Sequence, residues 1–338
     1  MISWTEVGLD RIWRALAENR EEGSRMHALH DLGAIQFVAG RVSPGNREAV
    51  GIQFPADNMV PNLQLPTGQG FEVQRVKDES GRYDNSLITL AKSAEGSLDI
   101  FAMMAVDVLR RVEHAAQNSS ASALPAFIKR VGDWQKFMAA DRRKPLSLEK
   151  QAGLMGELVF LESLSHAVGG LARAIGMWEG PFRAAQDFQV GLGAVEVKST
   201  AATAGFKAKI NSIEQLDCDR SPLFLATIQF SDKDSGEALP SLVSRLKERA
   251  RAGGAIRSLE ACLFASRYFE EHEALYQRCL AVEEIRCFNV EEPGFPRLAR
   301  TKLPNQITKV VYDLDVDSIE TAGLSLDKMM AQLGTIDQ

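Results

Sequence analysis

The sequence predicts an α/β (α+β) protein in which helices flank a mixed sheet, preceded by a smaller mixed α/β unit. The 338 residues are 45% hydrophobic and 25% charged, as in soluble globular proteins, and suffice for two domains or one elaborated domain. Helix-period and strand-period segments alternate along the chain. A polar stretch over residues 142–147, containing Pro145, separates two halves. We therefore predict an N-terminal accessory or docking domain over residues 1–144 and a second domain over residues 145–338.

The first half has the pattern of a sheet followed by helices. Leu9, Ile12, Trp13 and Leu16 predict a short amphipathic helix. Strands are expected near residues 34–38, 49–54, 71–76 and 86–91, with turns at 43–46 and 66–68. Two helices are expected over residues 99–115 and 124–138. No residues in this half have catalytic spacing, so we interpret it as a binding or docking domain.

The second half begins with a predicted helix over residues 148–168 that carries a misplaced acid. Ser147 is its expected N-cap. Glu157 falls inside an apolar stripe, where a carboxylate is costly unless it is paired or binds a metal; the stripe consists of Leu154, Leu158, Leu161 and Val168. The alternative is that Glu157 lies at the stripe's edge and pairs with an arginine. Gly153 and Gly156 each weaken a helix by roughly 1 kcal/mol relative to Ala, which suggests that another backbone passes close by.

A predicted hairpin over residues 186–200 follows this helix. If Gly191-Leu192 forms a two-residue type II′ turn, Val190 pairs with Gly193. The same register places Asp187 directly opposite Glu196, with Cβ atoms roughly 4.5–5.5 Å apart.

Strand alternation also places Lys198 on the same face as Glu196. Two opposed carboxylates repel each other unless a cation lies between them, so the pattern favours a hard divalent metal with oxygen ligands. The alternative is an ordinary hairpin whose charged side chains are solvated.

These residues together resemble the PD-(D/E)XK nuclease superfamily. The closer resemblance is to an uncharacterised bacterial family named after that motif, and it is carried by Gly156-Glu157, Trp178-Glu179-Gly180-Pro181, Asp187-Phe188, Val195-Glu196-Val197-Lys198-Ser199-Thr200 and Ile213-Glu214-Gln215-Leu216. Gln186 stands where the motif has proline, a departure that the superfamily tolerates. The resemblance covers roughly residues 147–230 and implies a restriction-endonuclease-like core.

The resemblance also implies a site and a reaction. Asp187 and Glu196 would hold Mg²⁺ (or Mn²⁺), with the Val197 carbonyl as a third oxygen and Glu157 acting directly or through water. Lys198 would position the attacking water or stabilise the developing anion. Gln215 would contact that water or a phosphate; the alternative is a surface glutamine. The implied activity is a Mg²⁺-dependent endonuclease that hydrolyses DNA, of the restriction or phage-defence type.

The rest of the second half is predicted from short apolar runs. Strands are expected over residues 206–210, 223–230, 259–266, 285–290 and 307–314. Helices are expected over residues 213–216 (a short turn), 239–252, 270–280 and 324–333.

Charge and targeting signals limit the partners. The net charge of −6 and pI of about 5.6 argue against a free-standing, tight DNA binder. Local basic clusters could still steer DNA; the candidates are Arg142-Arg143-Lys144, Lys207 with Lys209, and residues 245–251. The sequence has no apolar run of about 18 residues and no signal peptide, so we expect a cytoplasmic protein without membrane contact. Four cysteines without C-x-x-C spacing suggest reduced thiols.

A second hypothesis places the chain in another functional class. The nuclease fold could persist as a catalytically inactive scaffold or nucleic-acid-binding subunit of a defence complex, which the acidic pI favours. The intact Asp187, Glu196 and Lys198 favour activity. DNA and proteins from a restriction or defence operon are the expected partners, and a homodimer is one of the oligomeric states left open.

Overall fold

The computed structural model describes residues 6–18, 23–55, 57, 64–68, 70–76, 85–138, 144–182 and 184–334. Arg142 and Arg143 of one predicted basic cluster lie outside the described residues. The chain divides into two compact units, residues 1–141 and 142–338. Each mixes helices and strands, as predicted. Among the described helices, none combines the length and apolarity that a membrane crossing requires.

The first unit is built on an antiparallel sheet with the strand order β1-β2-β3-β6-β5-β4. Its strands are β1 (Arg25–Leu32), β2 (Ile35–Val42), β3 (Arg47–Pro55), β4 (Thr67–Gly68), β5 (Phe71–Val76) and β6 (Asn85–Lys92). The sequence analysis missed β1. It was also wrong to assign Thr67 and Gly68 to a turn, because both pair with β5.

Three helices complete this unit: α1 (Glu6–Ala15), α2 (Leu98–Asn118) and α3 (Ala123–Met138). Asp107 on α2 fastens α3, because its carboxylate accepts two hydrogen bonds from the Arg130 guanidinium, at 2.6 and 2.7 Å, and one from Trp134 Nε1 at 2.7 Å. A bidentate arginine pair of this kind fixes geometry as well as adding energy.

The second unit contains a four-stranded mixed sheet with the order β11-β10-β8-β7. Strands β8 and β10 are parallel, and the other neighbours are antiparallel. The strands are β7 (Phe188–Val190), β8 (Gly193–Thr200), β10 (Leu223–Ala238) and β11 (Cys279–Asn289), with β9 (Lys207–Ile210) and β12 (Tyr312–Asp315) forming a separate pair. The helices are α4 (Leu148–Ala167), α5 (Leu171–Ile175), α6 (Leu239–Ala252), α7 (Ile256–Ala265) and α8 (Leu326–Gln332).

Helix α4 begins where its sequence predicts. The Ser147 hydroxyl accepts a hydrogen bond from the Lys150 backbone N–H at 3.4 Å, which caps the helix. Leu158 and Leu161 are fully buried in a core shared with Val195 of β8. The helix therefore lies against the strand that carries the predicted acid and lysine.

Gly156 permits this close contact. A Cβ atom at that position would lie 2.6 Å from Ser199 Oγ and 2.7 Å from Ser199 Cβ, both on β8. The Ser199 hydroxyl donates to the Ala152 carbonyl at 2.8 Å and ties the strand to the helix. A close approach is therefore present at Gly156, although its neighbour is the Ser199 side chain and not the expected backbone; at Gly153 the expectation is wrong, because a Cβ there would meet nothing within 4 Å.

Two predicted elements after α6 are wrong. Residues 259–266, predicted as a strand, belong to helix α7. The predicted helix over 270–280 is a 3-10 turn at Glu270–Leu275 followed by the start of β11. A short apolar run is compatible with either a buried strand or a buried helix, and periodicity alone does not separate them. The two segments acquire their structure from their neighbours in the fold.

We predict opposite effects for alanine at the two glycines of α4. Gly156→Ala should lower the free energy of unfolding by about 1–3 kcal/mol, because the added methyl group overpacks the contact with Ser199. Gly153→Ala, the matched control, should raise it by up to about 1 kcal/mol through helix propensity alone. Urea unfolding of both variants measures the difference. Equal effects at the two positions would contradict the close-approach explanation.

Candidate active site

The β7–β8 hairpin brings together two of the predicted acids, Asp187 and Glu196. Its register pairs Phe188 with Val195 and Val190 with Gly193, as predicted. Gly191 has φ of 58°, the left-handed value that the first turn position needs. Asp187 immediately precedes β7, and its Oδ2 accepts a hydrogen bond from the Val197 backbone N–H at 2.8 Å. This hydrogen bond holds the Asp187 carboxylate next to Val197, the residue between Glu196 and Lys198.

Glu196 lies at the centre of a hydrogen-bonded cluster. Its side chain is 1% exposed, and its Oε1 lies 2.6 Å from Lys198 Nζ. The same oxygen accepts a hydrogen bond from Gln215 Nε2 at 2.5 Å. The Asn211 backbone N–H in turn donates to Gln215 Oε1 at 2.6 Å, which sets the orientation of the amide. Gln215 is therefore half-buried against Glu196 and is not a surface glutamine.

Glu157 reaches the same region from helix α4 by way of Trp178. The indole Nε1 donates to Glu157 Oε2 at 2.7 Å, and Trp178 is 1% exposed. The backbone of Trp178 also forms an isolated antiparallel β-bridge with Phe188 of β7, the residue that follows Asp187. The partner of Glu157 is thus an indole and not the arginine that the alternative interpretation required.

Gly180 lies between the carboxylates of Glu157 and Asp187. A Cβ atom on Gly180 would lie 2.6 Å from Asp187 Oδ1 and 3.0 Å from Glu157 Oε2. The backbone N–H groups of Glu179 and Gly180 both donate to the Asp187 carbonyl, at 2.8 and 2.9 Å. Trp178 and Gly180 belong to the quoted Trp-Glu-Gly-Pro motif, but the sequence analysis assigned them no role. Their contacts depend on tertiary folding, so spacing could not reveal them.

The three carboxylates hold their protons more tightly than ordinary acids. Burial, and then the charge of Asp187, raises the pKa of Glu157 to about 8, despite the hydrogen bond from Trp178. Burial raises the pKa of Asp187, although Lys198 and the Val197 N–H oppose the shift. Burial, followed by the nearby Asp187, raises the pKa of Glu196 well above its usual value.

Lys198 is the amine that faces these acids. Burial by itself lowers the pKa of Lys198, but the charges of Glu196, Asp187 and Glu157 together raise it. Its ammonium group is therefore protonated at neutral pH. Lys198 is a cation that stabilises negative charge, and it is a poor general base in this state.

Comparison with protein families agrees with this arrangement. The family model described as "Putative PD-(D/E)XK family member, (DUF4420)" matches residues 9–317. The chain belongs to this family. Searches of curated proteins and of solved structures find no match.

PD-(D/E)XK nucleases generally use divalent metals, so the donor atoms of this site are compared with the ligands that such an ion takes. Glu196 Oε2 is buried without a hydrogen-bond partner, and an orphaned carboxylate oxygen is a ligand that a hard cation would satisfy. In the part of the chain that the structure describes, no three His, Cys, Asp or Glu side chains form a ready-made metal cluster. The orphaned oxygen of Glu196 is thus the one feature that suits a hard divalent cation among the described residues, while Lys198 and Gln215 hold the other oxygen of Glu196.

Removing the indole donor should disturb Glu157 specifically. Trp178→Phe should raise the pKa of Glu157 above its value of about 8, because the lost hydrogen bond lowers that pKa. It should also cost about 1–3 kcal/mol of stability, because a buried acceptor loses its donor. Carboxyl NMR titration and urea unfolding measure the two effects. Trp134→Phe is the matched control, since it removes an indole–carboxylate bond in the first unit. A Glu157 pKa that moves equally in both variants would contradict this assignment.

The raised pKa of Glu157 also predicts a pH dependence of stability without metal. The folded chain keeps this proton up to about pH 8, whereas an ordinary glutamate releases it near 4.5. The folded state binds the extra proton in that window, so the contribution of Glu157 to stability is present below pH 4.5 and is lost as pH rises to about 8. Glu157→Gln cannot ionise, so its stability relative to wild type should increase from pH 5 to pH 8.

Urea unfolding at pH 5, 6, 7 and 8 in the absence of divalent metal tests this expectation. Glu149→Gln, which changes an exposed carboxylate in the first turn of the same helix, is the matched control. A pH dependence for Glu157→Gln no steeper than that of Glu149→Gln would contradict the prediction.

Proposed function

We propose that this chain is a divalent-metal-dependent phosphodiester hydrolase that acts on DNA, as an endonuclease of the restriction or phage-defence type. Membership of the PD-(D/E)XK family supports a nuclease-type fold. The observation that carries the proposal is the meeting of three acids with raised pKa values, Glu157, Asp187 and Glu196, at one lysine. A protein that needed only stability would have little use for this arrangement.

The charge balance of the site favours a divalent cation. Fully ionised, the three carboxylates would carry three negative charges against one ammonium charge, and burial together with the charge of Asp187 raises the pKa values of Glu157 and Glu196. Asp187, Glu196 and the Val197 carbonyl would hold Mg²⁺ or Mn²⁺, with Glu157 acting directly or through water. A bound divalent ion would lower the pKa of a water molecule and stabilise charge that develops on the phosphate.

The protein's own residues have separate tasks in this proposal. Lys198 stays protonated and stabilises the negative charge of the phosphate or orients the attacking water. Gln215 holds Glu196 in place, and its amide would contact the attacking water or the phosphate. Trp178 and Gly180 position Glu157 and Asp187 without contacting the substrate.

The proposal predicts opposite behaviour for two variants. Divalent metal at a hundredfold excess over its dissociation constant should stabilise the wild type by about 2.7 kcal/mol. Asp187→Asn should lose most of that stabilisation and cleave no DNA, while its metal-free form remains at least as stable as wild type because a repulsion is removed. Lys198→Ala should keep or strengthen metal binding but lose cleavage, because it removes the cation that faces Glu196.

Thermal melts with and without Mn²⁺, together with cleavage of plasmid, linear and single-stranded DNA, test this prediction. Asp187→Asn purified in parallel controls for contaminating nucleases. A wild-type melting temperature indifferent to millimolar Mn²⁺ and Mg²⁺, together with no cleavage of any nucleic acid, would favour an inactive scaffold over the hydrolase.

A further inference from the structure

Acids lie close to several cations of the predicted basic clusters that the structure describes. Lys207 and Lys209 on β9 pair in register with Asp315 and Asp313 on β12. Arg245 is bound by two glutamates of the second unit. These acids lower the local positive charge around Lys207, Lys209 and Arg245.

A segment that the sequence analysis passed over is rich in cations, of which Arg297 forms an ion pair with Asp217 at 3.6 Å. Residues 294–312, here called the basic segment, contain no Asp or Glu in a chain whose net charge is −6. Its cations are Arg297, Arg300, Lys302 and Lys309. Lys302 and Lys309 are exposed, and neither forms an ion pair within the described residues.

The basic segment is fastened directly beside the candidate active site. The Arg297 guanidinium donates to the Leu216 carbonyl at 2.9 Å. The Arg300 backbone N–H donates to Asp217 Oδ2 at 2.7 Å. Leu216 and Asp217 are the two residues that follow Gln215, whose amide contacts Glu196. The basic segment is therefore attached to the residues that directly follow Gln215.

The same segment is held in a fixed form by its own contacts. Phe295 and Ala299 are buried, which anchors its first part. The Arg300 guanidinium donates to the Ile307 carbonyl, and to the Asn305 carbonyl at 3.3 Å. Arg300 thus closes the loop, and little conformational entropy remains to be lost when a ligand binds.

We propose that the basic segment is a docking surface for the phosphodiester backbone of DNA, and this inference rests on the proposed hydrolase function. Lys302 and Lys309 would contact phosphates, because exposed unpaired ammonium groups replace condensed counterions along the backbone. Leu298 and Ile307 of the same segment are each 38% exposed and offer apolar surface to the sugars. Backbone contacts of this kind position a duplex and do not read its sequence.

The test is a double neutralisation measured by DNA binding. Lys302→Gln/Lys309→Gln in an Asp187→Asn background should weaken binding to a fluorescent duplex about tenfold at low salt. The slope of log affinity against log salt should fall by about 1.8, at about 0.9 per lost phosphate contact. Lys150→Gln/Arg251→Gln changes the charge equally at two exposed helical positions and should leave both quantities at their background values. Single-stranded DNA, RNA and polyglutamate are the comparison ligands.

Each outcome decides between the alternatives. Equal weakening by the two double variants, or equally tight binding of polyglutamate, would show general charge attraction and overturn the proposal. Unchanged DNA binding by Lys302→Gln/Lys309→Gln would overturn the docking surface, and cleavage by the wild type would then leave the hydrolase intact. Selective weakening without wild-type cleavage would support the surface and count against the hydrolase. Absence of binding to every nucleic acid would overturn the inference.

Discussion

Crowding of three carboxylates around one ammonium group is the constraint on which the second unit depends. Glu157 lies on helix α4, Asp187 immediately precedes strand β7 and Glu196 lies on strand β8, and burial raises the pKa of each. Such a cluster is costly to keep in a protein interior, so the surrounding structure must hold it against repulsion. The elements that do so are the same ones that give the unit its fold.

Each acid is held by a donor from a different source. A backbone N–H on β8 binds Asp187, an indole binds Glu157, and a lysine and an amide share one oxygen of Glu196. The glycines complete the arrangement, because Gly156 lets the helix approach β8 and Gly180 leaves room between two carboxylates. Rigid, converging donors of this kind are what a preorganised catalytic site requires.

The overall acidity of the chain and its proposed DNA substrate are compatible once charge is considered locally. Lys207 and Lys209 lie opposite Asp315 and Asp313 on the paired strand, whereas the basic segment has no acidic residue of its own and keeps its lysines exposed beside the Gln215 turn. Local potentials steer a charged ligand even when the net charge of the protein is unfavourable. The segment escaped the sequence analysis because its four cations are spread over residues 297–309 and form no compact run.

The sequence by itself determined the local features of this protein. The Ser147 cap fixed the start of α4, and the turn at Gly191 fixed the hairpin register that pairs Val190 with Gly193 and Phe188 with Val195, because caps and tight turns act over a few residues. Tertiary structure alone decided the rest. Helix α7 and the start of β11 took forms that their apolar runs did not specify, since packing overrides weak local preference. The contacts of Trp178, Gly180 and the basic segment join residues distant in the chain, and only the folded geometry brings them to the site.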